Sequence, residues 1–519
     1  MKRFNTTGLM ISGQHYMVRI DRQVNTAVRL VEDGMYFTIN RGRQYGKTTT
    51  LAFVEEALAQ RDFAVFSISF ESLPDSAFES LETLLFASIE KMEFPMRWSP
   101  VKHLSDSSVQ LLHKTVDREQ KQISVNDYTQ LVATLCSTDR VVLLIDEVDA
   151  AGNYPQFIKF LALLREMYLI RNKIPTFQSV ILAGVYDIKN LKLKMRPEEQ
   201  YQYNSPWNIA APFDVDMSLQ ADGIAEMLAE YKADHQLAFD HQQVAQLIYD
   251  YTSGYPFLVS RLCQIIDEES YTWDKEGVLQ AVRDLLIERN TLFDDLTKKL
   301  DQFPMLAKML QAIIYNGERV TFNYYDREIS LASMFSFVVN RNGAVAVQCR
   351  IFETWLYNYF SSYEKNTELF RIGEDSRNQF IRDGQLDIRL LLERFTVHFN
   401  EIFRPEKDDK FVEAWGRKLF LTYIRPVING IGNYYVEPET RDLTRSDLVI
   451  DYHGHQYVVE LKIWRGNSYN ERGEQQLKDY LDYFRVQEGY LVSFCFNKNK
   501  QPGIRDVAVG DRTVCEAIV

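Results

Sequence analysis

The chain has 519 residues, 46% of them apolar, and a formal net charge of −13. That length and apolar content suit about three globular domains with ordinary cores. The acidic balance excludes a chain that gathers nucleic acid by bulk charge alone. No stretch of about 18 apolar residues offers a membrane span, and the opening MKRFNTTGLM lacks a signal-peptide core. The five cysteines are scattered without a CxxC spacing, so they read as buried thiols of a reducing cytoplasm rather than disulfides or zinc ligands.

The first stretch that carries chemistry is YFTINRGRQYGKTTTLAFVEEALAQ, residues 36–60. A short apolar run, a polar glycine-bearing loop and a helical pattern predict strand, phosphate loop, helix. Backbone N–H groups of such a loop, with the helix N-terminus, hold an anionic phosphate chain. Lys47 is placed to reach the β- and γ-phosphates and Thr48 to put its hydroxyl on Mg²⁺. Arg43, Gly46 and Thr49 complete the expected ATP-binding stretch. Gly46-Lys47-Thr48 fit the pattern G-x-x-x-x-G-K-[ST], but Arg41 occupies the first glycine position and Gly42 comes one place late.

DFAVFSISFE follows as a strand between this loop and RVVLLIDEVDA, whose apolar run ends in Asp146-Glu147. A buried central strand with acids at its C-terminal tip is the expectation, and it resembles a Walker B strand. The resemblance implies that Asp146 coordinates Mg²⁺ through water and that Glu147 orients or deprotonates the attacking water. FQSVILAGV reads as another buried strand and APFDVDMSL as a fifth. The order resembles the additional-strand branch of P-loop ATPases, which includes the AAA and STAND families. Within that branch, Gly254-Tyr255-Pro256 resembles a "GxP" turn opening a helix. Ser205, Pro206 and Asn208 suit a nucleotide-sensing or lid contact. Arg196 and Arg261 are candidate γ-phosphate sensors, and the segment GLMISGQHYMVRI is expected against the adenine.

From about residue 220 to 299 the apolar spacing is helical, as in GIAEMLAEY and VAQLIYDYT, which predicts a lid. Residues 300–364 read as helix, turn, helix and then a hairpin with Asn340-Arg341-Asn342-Gly343 at its turn, an arrangement that resembles a winged helix. The polar run SSYEKNTELFRIGEDSRN is the expected linker to a last domain, 376–519.

That domain contains RSDLVIDYHGHQYVVELKIWRG. Pairing it about a His453-Gly454 turn sets Tyr452 opposite His455 and, counting outward, Asp447 opposite Glu460. Alternation puts Asp447, Val449, Val458, Glu460 and Lys462 on one face and an apolar set on the other. Directly opposed carboxylates repel but become favourable around a divalent cation. Two carboxylates on Mg²⁺ with a lysine beside them suit metal-assisted phosphodiester cleavage. NERGEQQLKDYLDYF follows with a helical pattern that puts Gln476 and Tyr480 on one face. The segment resembles the PD-(D/E)XK nuclease superfamily, most closely its RecB-like branch. The resemblance implies Asp447 and Glu460 as metal ligands, Lys462 as the catalytic lysine, and Gln476 and Tyr480 as supporting residues. Glu413, Glu437 and Glu439 remain alternatives for the upstream glutamate.

YFTINRGRQYGKTTTL, LLIDEVD, SVILAGVYDIKNLKLKMRP and NSPWNIA together resemble bacterial AAA-ATPase-like proteins, often joined to a C-terminal PD-(D/E)XK-type domain. The expected fold is α/β and multidomain: a P-loop ATPase core with a central parallel sheet (1–219), a helical lid (220–299), a winged-helix-like domain (300–364) and a restriction-endonuclease-like α/β domain (376–519). ATP and Mg²⁺ are the expected cofactors, and nucleic acid, with DNA foremost, the expected partner. A homo-oligomer is compatible with this, and the location is expected to be cytoplasmic. Residues 376–519 carry 21 basic and 22 acidic side chains, so nearly all the negative excess lies before them. Arg465, Arg472, Lys478, Lys498 and Lys500 are candidates for a local basic rim. The alternative is a nucleotide-dependent switch or scaffold whose last domain only binds nucleic acid or a protein.

Overall fold

A computed structural model of the chain describes residues 2–185, 207–316, 320–361, 372, 377–402, 413–428, 432–436, 448–463, 477, 481, 486–495, 501–509 and 512–519. By internal contact it divides into two compact units: Met1–Asp234 with Tyr255–Ser260 and Met334–Ser336, and His235–Gly254 with Arg261–Ser333 and Phe337–Val519. The break at Asp234 does not coincide with the boundary expected at 219. No helix among the described residues is long and apolar enough to cross a membrane.

The first unit is built on a parallel sheet of β1 (Phe37–Asn40), β2 (Ala64–Ser69), β3 (Val141–Asp146) and β4 (Ser179–Gly184), in the order β1-β4-β3-β2. Every residue of β3 and β4 is buried, as continuous Val/Ile/Leu runs require when helices cover both faces. The helices are α1 (Asp21–Glu32), α2 (Lys47–Ala59), α3 (Leu81–Glu93), α4 (Asp106–Val116), α5 (Val125–Thr138), α6 (Pro155–Leu169) and α7 (Ala221–Asp234). Serine side chains start three of them. Ser80 accepts from the Thr83 N–H in a capping box, Ser105 from Ser108 and Ser124 from Asp127, satisfying N–H groups that the helices leave open. Phe70, Phe157 and Phe160 pack together in the core beside Leu143 and Leu182.

The strand 64–69 follows the phosphate loop in sequence as expected, and in the sheet it lies outermost, with β4 standing between β1 and β3. One strand expectation is corrected. The segment APFDVDMSL forms no strand; it contributes a single bridge, Phe37 to Ala211. Pro212, the next residue, has no N–H to continue the ladder.

The second unit holds helices α8 (His241–Thr252) and α10 (Lys275–Ile287), then α11 (Thr291–Gln302), α12 (Pro304–Asn316) and α13 (Arg327–Met334). Helix α9 (Pro256–Glu268) and α13 each have residues in both units. A hairpin of β5 (Val338–Arg341) and β6 (Ala344–Val347) follows, closed by Asn342 and Gly343, both at positive φ (52° and 82°). That is the two-residue turn whose twist matches the strands. Then come α14 (Arg350–Ser361), the short pair β7 (Ile381–Arg382) and β8 (Gln385–Leu386), α15 (Ile388–Ile402) and α16 (Glu413–Ile428). The expected linker falls mostly outside the described residues.

A six-stranded mixed sheet completes the unit: β9 (Gly432–Val436), β10 (Leu448–Tyr452), β11 (His455–Ile463), β12 (Glu488–Phe494), β13 (Gly503–Val509) and β14 (Arg512–Ile518), in the order β13-β14-β12-β11-β10-β9. β11 runs parallel to β12, and β12 to β14; the outer pairs are antiparallel. One face takes α16, where Gly416 is so close to the Phe494 ring that an added Cβ would lie 2.3 Å from it. On the other face Leu477 and Leu481 press on Gly489.

On β10, Asp451 is fully buried, and burial pushes its carboxyl up to about 6 against the pull of Arg283. An acid raised from its ordinary 3.8 holds its proton longer in the folded chain, so stability falls as pH rises through that window and is flat above it. The span corresponds to about 3 kcal/mol at most. Asp451→Asn is therefore expected to narrow the difference in unfolding free energy between pH 4 and pH 8, read by urea titration at both. An unchanged difference would show that Asp451 ionises as readily folded as unfolded.

Candidate functional site

Gly46 caps α2 in the left-handed region (φ 80°), a conformation that glycine adopts without strain, and so turns the loop into the helix. Lys47 is buried, and its Nζ donates to the carbonyls of Arg41 and Gly42, each at 3.1 Å. Burial pulls its ammonium downward in pKa, while Glu147, Asp149 and Asp146 pull it back. Thr48 Oγ1 donates to Asp146 Oδ2 at 2.7 Å. The hydroxyl from the start of α2 and the carboxylate from the tip of β3 thus meet.

Glu147 leaves β3 at positive φ (50°), and its N–H donates to Asp146 Oδ1 at 2.8 Å. Burial raises the Glu147 carboxyl above the usual range, Lys47 opposes this, and Asp146, Asp149 and Glu71 add to it. Asp149 accepts from the Val185 N–H and lies over Gly184, where a Cβ would meet Val148 at 2.8 Å. The turn after β3 is thereby tied to the end of β4.

The departures from the loop pattern have visible causes. Arg41 turns its guanidinium away from the loop, donating to Val215 O at 2.6 Å and Asn40 O at 2.7 Å. Gly42 abuts Ser336, whose Oγ would lie 2.3 Å from an added Cβ, so the glycine one place late is needed for close approach. Tyr255, from the Gly-Tyr-Pro turn, packs edge-on against Tyr45 at 4.7 Å and donates to Arg43 O at 2.5 Å. Its ring and hydroxyl brace the loop, a role the sequence reading did not give it.

Beside the loop a cleft is lined by Met10, Met17, Val18 and Ile20 of the N-terminal segment, with Tyr45, Thr49 and Met227. Thr49 is buried there and accepts from the Met10 N–H at 3.3 Å. Of the candidate sensors, Asn208 is exposed in a turn next to the buried Trp207. Arg261 is engaged elsewhere: its guanidinium is forked onto Glu288 (2.8 and 3.1 Å) and also bonds Glu268 at 3.2 Å. Arg196, Ser205 and Pro206 lie outside the described residues.

In the C-terminal sheet the hairpin register is Tyr452 to His455 and Leu448 to Val459, closed by His453 and Gly454 at positive φ. The expected pairing of Asp447 with Glu460 falls on Asp447, which lies outside the described residues. So do Gln476, Tyr480, Glu437, Glu439, Arg465, Arg472, Lys478, Lys498 and Lys500; Glu413 opens α16. Glu460 is 1% exposed, and Lys462 Nζ lies 3.0 Å from its Oε1. The expectation of one buried apolar face needs correction. Val449 and Val458, on the Glu460 face, are as buried as Leu448 and Val459 on the other. The hairpin is interior to a six-stranded sheet and packed on both sides. Asp451 and Glu516 belong to no motif, yet each is a lone acid within an apolar strand (LVIDY, TVCEAIV), a pattern that itself signals a buried polar site.

Residues 5–360 match the AAA-like domain family. No curated protein matches the chain. Among solved structures it is similar to the Walker-type ATPase PABY2304 of Pyrococcus abyssi, at 13% identity with a TM-score of 0.48, covering 68% of this chain and 99% of that one. It is also similar to the ORC2 protein of Aeropyrum pernix (12% identity, TM-score 0.37, 67% and 96% covered) and to Cdc6p from Pyrobaculum aerophilum (13%, 0.33, 68% and 97%).

Proposed function

The chain belongs to the AAA-like domain family across residues 5–360, and from that premise we propose that it binds and hydrolyses ATP and that its nucleotide state regulates a Mg²⁺-dependent nuclease in the C-terminal domain. DNA is the proposed substrate. The observation that carries the ATP half is the 2.7 Å contact between Thr48 and Asp146 beside the buried Lys47. A hydroxyl and a carboxylate at a helix start form a donor set that suits Mg²⁺, and Thr48 and Asp146 would hold the ion. Bound there, Mg²⁺ neutralises charge on the phosphates. Lys47 exchanges its two loop carbonyls for phosphate oxygens, and the N–H groups around Gly46 and α2 complete the cradle. The cleft under Met10, Met17 and Val18 takes the base. Glu147, its carboxyl raised by burial, accepts the proton of the attacking water.

The nuclease half is carried by the Glu460–Lys462 pair. Glu460 and Asp447 would hold a divalent ion that polarises the phosphate, and Lys462 supplies a fixed positive charge beside the oxygens where charge develops. A near-neutral C-terminal domain gives weak intrinsic affinity for nucleic acid, which ATP-dependent assembly of several copies would strengthen.

The test is cleavage of plasmid, linear and single-stranded DNA with Mg²⁺ or Mn²⁺, with and without ATP, alongside ATP hydrolysis. Cutting that responds to ATP is expected. Intact hydrolysis with no cutting, and assembly that follows the nucleotide, would favour the second reading, a switch whose C-terminal domain only binds nucleic acid or a protein. The deep burial of Glu460 is the observation on that side.

A further inference from the structure

The sheet face bearing Glu460 and Lys462 carries a second polar set that no motif marks. Lys462 is paired in register with Ser493, and Glu460 with Leu491. Leu491 is paired with Glu516, and Glu516 with Arg505. Cross-strand partners share a face, as do residues two apart on a strand. Glu460, Lys462, Ser493, Glu516 and Arg505 therefore form one polar row across β11, β12, β14 and β13. Ser493 and Glu516 are fully buried. Ser493 Oγ donates to Glu516 Oε1 at 2.7 Å, and Arg505 Nε donates to Oε2 at 2.5 Å, with a second Arg505 nitrogen on the same oxygen.

Burying a carboxylate costs several kcal/mol unless it is paired and hydrogen-bonded, and an apolar residue would suit a strand position between Cys515 and Ala517. What the arrangement achieves is a guanidinium fixed in one orientation. Arg505 sits on the edge strand with its side chain 48% exposed. A guanidinium has five N–H groups, so a fork onto Glu516 leaves others for solvent. A planar, permanently charged, pre-oriented donor set of this kind matches a phosphodiester oxygen pair.

We propose that Arg505, oriented by Glu516 and Ser493, contacts a backbone phosphate of nucleic acid at the exposed edge strand of the sheet that carries Glu460 and Lys462. The ligand's identity rests on the nuclease reading; the binding can be measured apart from it. Fluorescence anisotropy of labelled duplex and single-stranded DNA, in EDTA to prevent cleavage, would be titrated against salt. Arg505→Gln is expected to weaken both and to flatten the log–log salt slope by about one phosphate contact. Arg505→Lys, which keeps charge but not the fork, is expected to restore the slope and only part of the affinity. Arg505→Gln leaves Glu516 buried without its partner, so the double variant Arg505→Gln/Glu516→Gln, neutral at both positions, guards against simple unfolding and is expected to show the same flattened slope. Where the protein cuts, KM rises with kcat nearly constant.

A lower melting temperature with unchanged slope and KM would reduce the row to structure and overturn the proposal, as would absence of any DNA binding by the unaltered protein. Glu460→Gln, with thermal unfolding recorded beside it, separates the two readings. Cutting that depends on Glu460 together with an unmoved salt slope sinks the Arg505 proposal alone. A slope that moves in a protein that never cuts sinks the nuclease and leaves the phosphate contact standing.

Discussion

Glu147→Gln is expected to slow ATP hydrolysis by about 10²- to 10⁴-fold, the usual contribution of a positioned general base, while ATP remains bound. The side chain is chosen because its environment separates it from its neighbour. Asp146 receives the Thr48 hydroxyl and the Glu147 N–H, which suits the ligand role proposed for it. Glu147 is carried off the strand by its positive φ, and burial raises its carboxyl, which makes it a better proton acceptor. Glutamine keeps the shape and cannot take a proton. It also removes one negative charge beside the phosphates, so ATP affinity should be unchanged or higher. Phosphate release and binding of a fluorescent ATP analogue, measured on the same preparation, read the two quantities separately. Hydrolysis at the unaltered rate would show that another group activates the water; loss of binding would place Glu147 among the ligand-holding residues instead.

The geometry of the proposed nucleotide site was legible because its parts are local. A loop of six residues and the strand tip in LLIDEVD each carry their chemistry in contiguous sequence, and parallel pairing of buried strands brings them together without further instruction. The late glycine could not be understood that way, since Gly42 owes its small size to Ser336, nearly 300 positions on. The hairpin register was legible for the same local reason: a two-residue turn fixes the pairing of everything outward from it. Its surroundings were not. Whether the Glu460 face meets water or protein depends on β12 and β14 and on Leu477 and Leu481, which lie beyond the hairpin in sequence. Alternation shows which side chains share a face, and only the full sheet shows what covers it. The same limit hid the row through Glu516, because its members come from four strands.

Glu460→Ala is expected to abolish cleavage, a loss of at least about 10³-fold given what a charge-stabilising site group contributes, and to leave ATP hydrolysis at its original rate. The substitution has a structural side that must be separated from the chemical one. Lys462 lies 3.0 Å from the Glu460 carboxylate and is itself largely buried. Removing one partner of such a pair leaves a buried charge and typically costs about 3–5 kcal/mol, so inactivity alone would not distinguish a lost ligand from a collapsed sheet. Glu460→Gln retains the shape and a hydrogen-bond acceptor for Lys462, so it should lose less stability than Glu460→Ala while holding a divalent ion far more weakly. The decisive comparison is therefore Glu460→Gln against the parent across a series of Mg²⁺ and Mn²⁺ concentrations, with thermal unfolding recorded for both. A folded Glu460→Gln that has lost cutting, or regains part of it only at high Mn²⁺, fits a carboxylate ligand. A folded Glu460→Gln that cuts as well as the parent at low metal would remove Glu460 from the site, leaving the Glu460–Lys462 pair as a buried structural contact in a domain that binds without cutting.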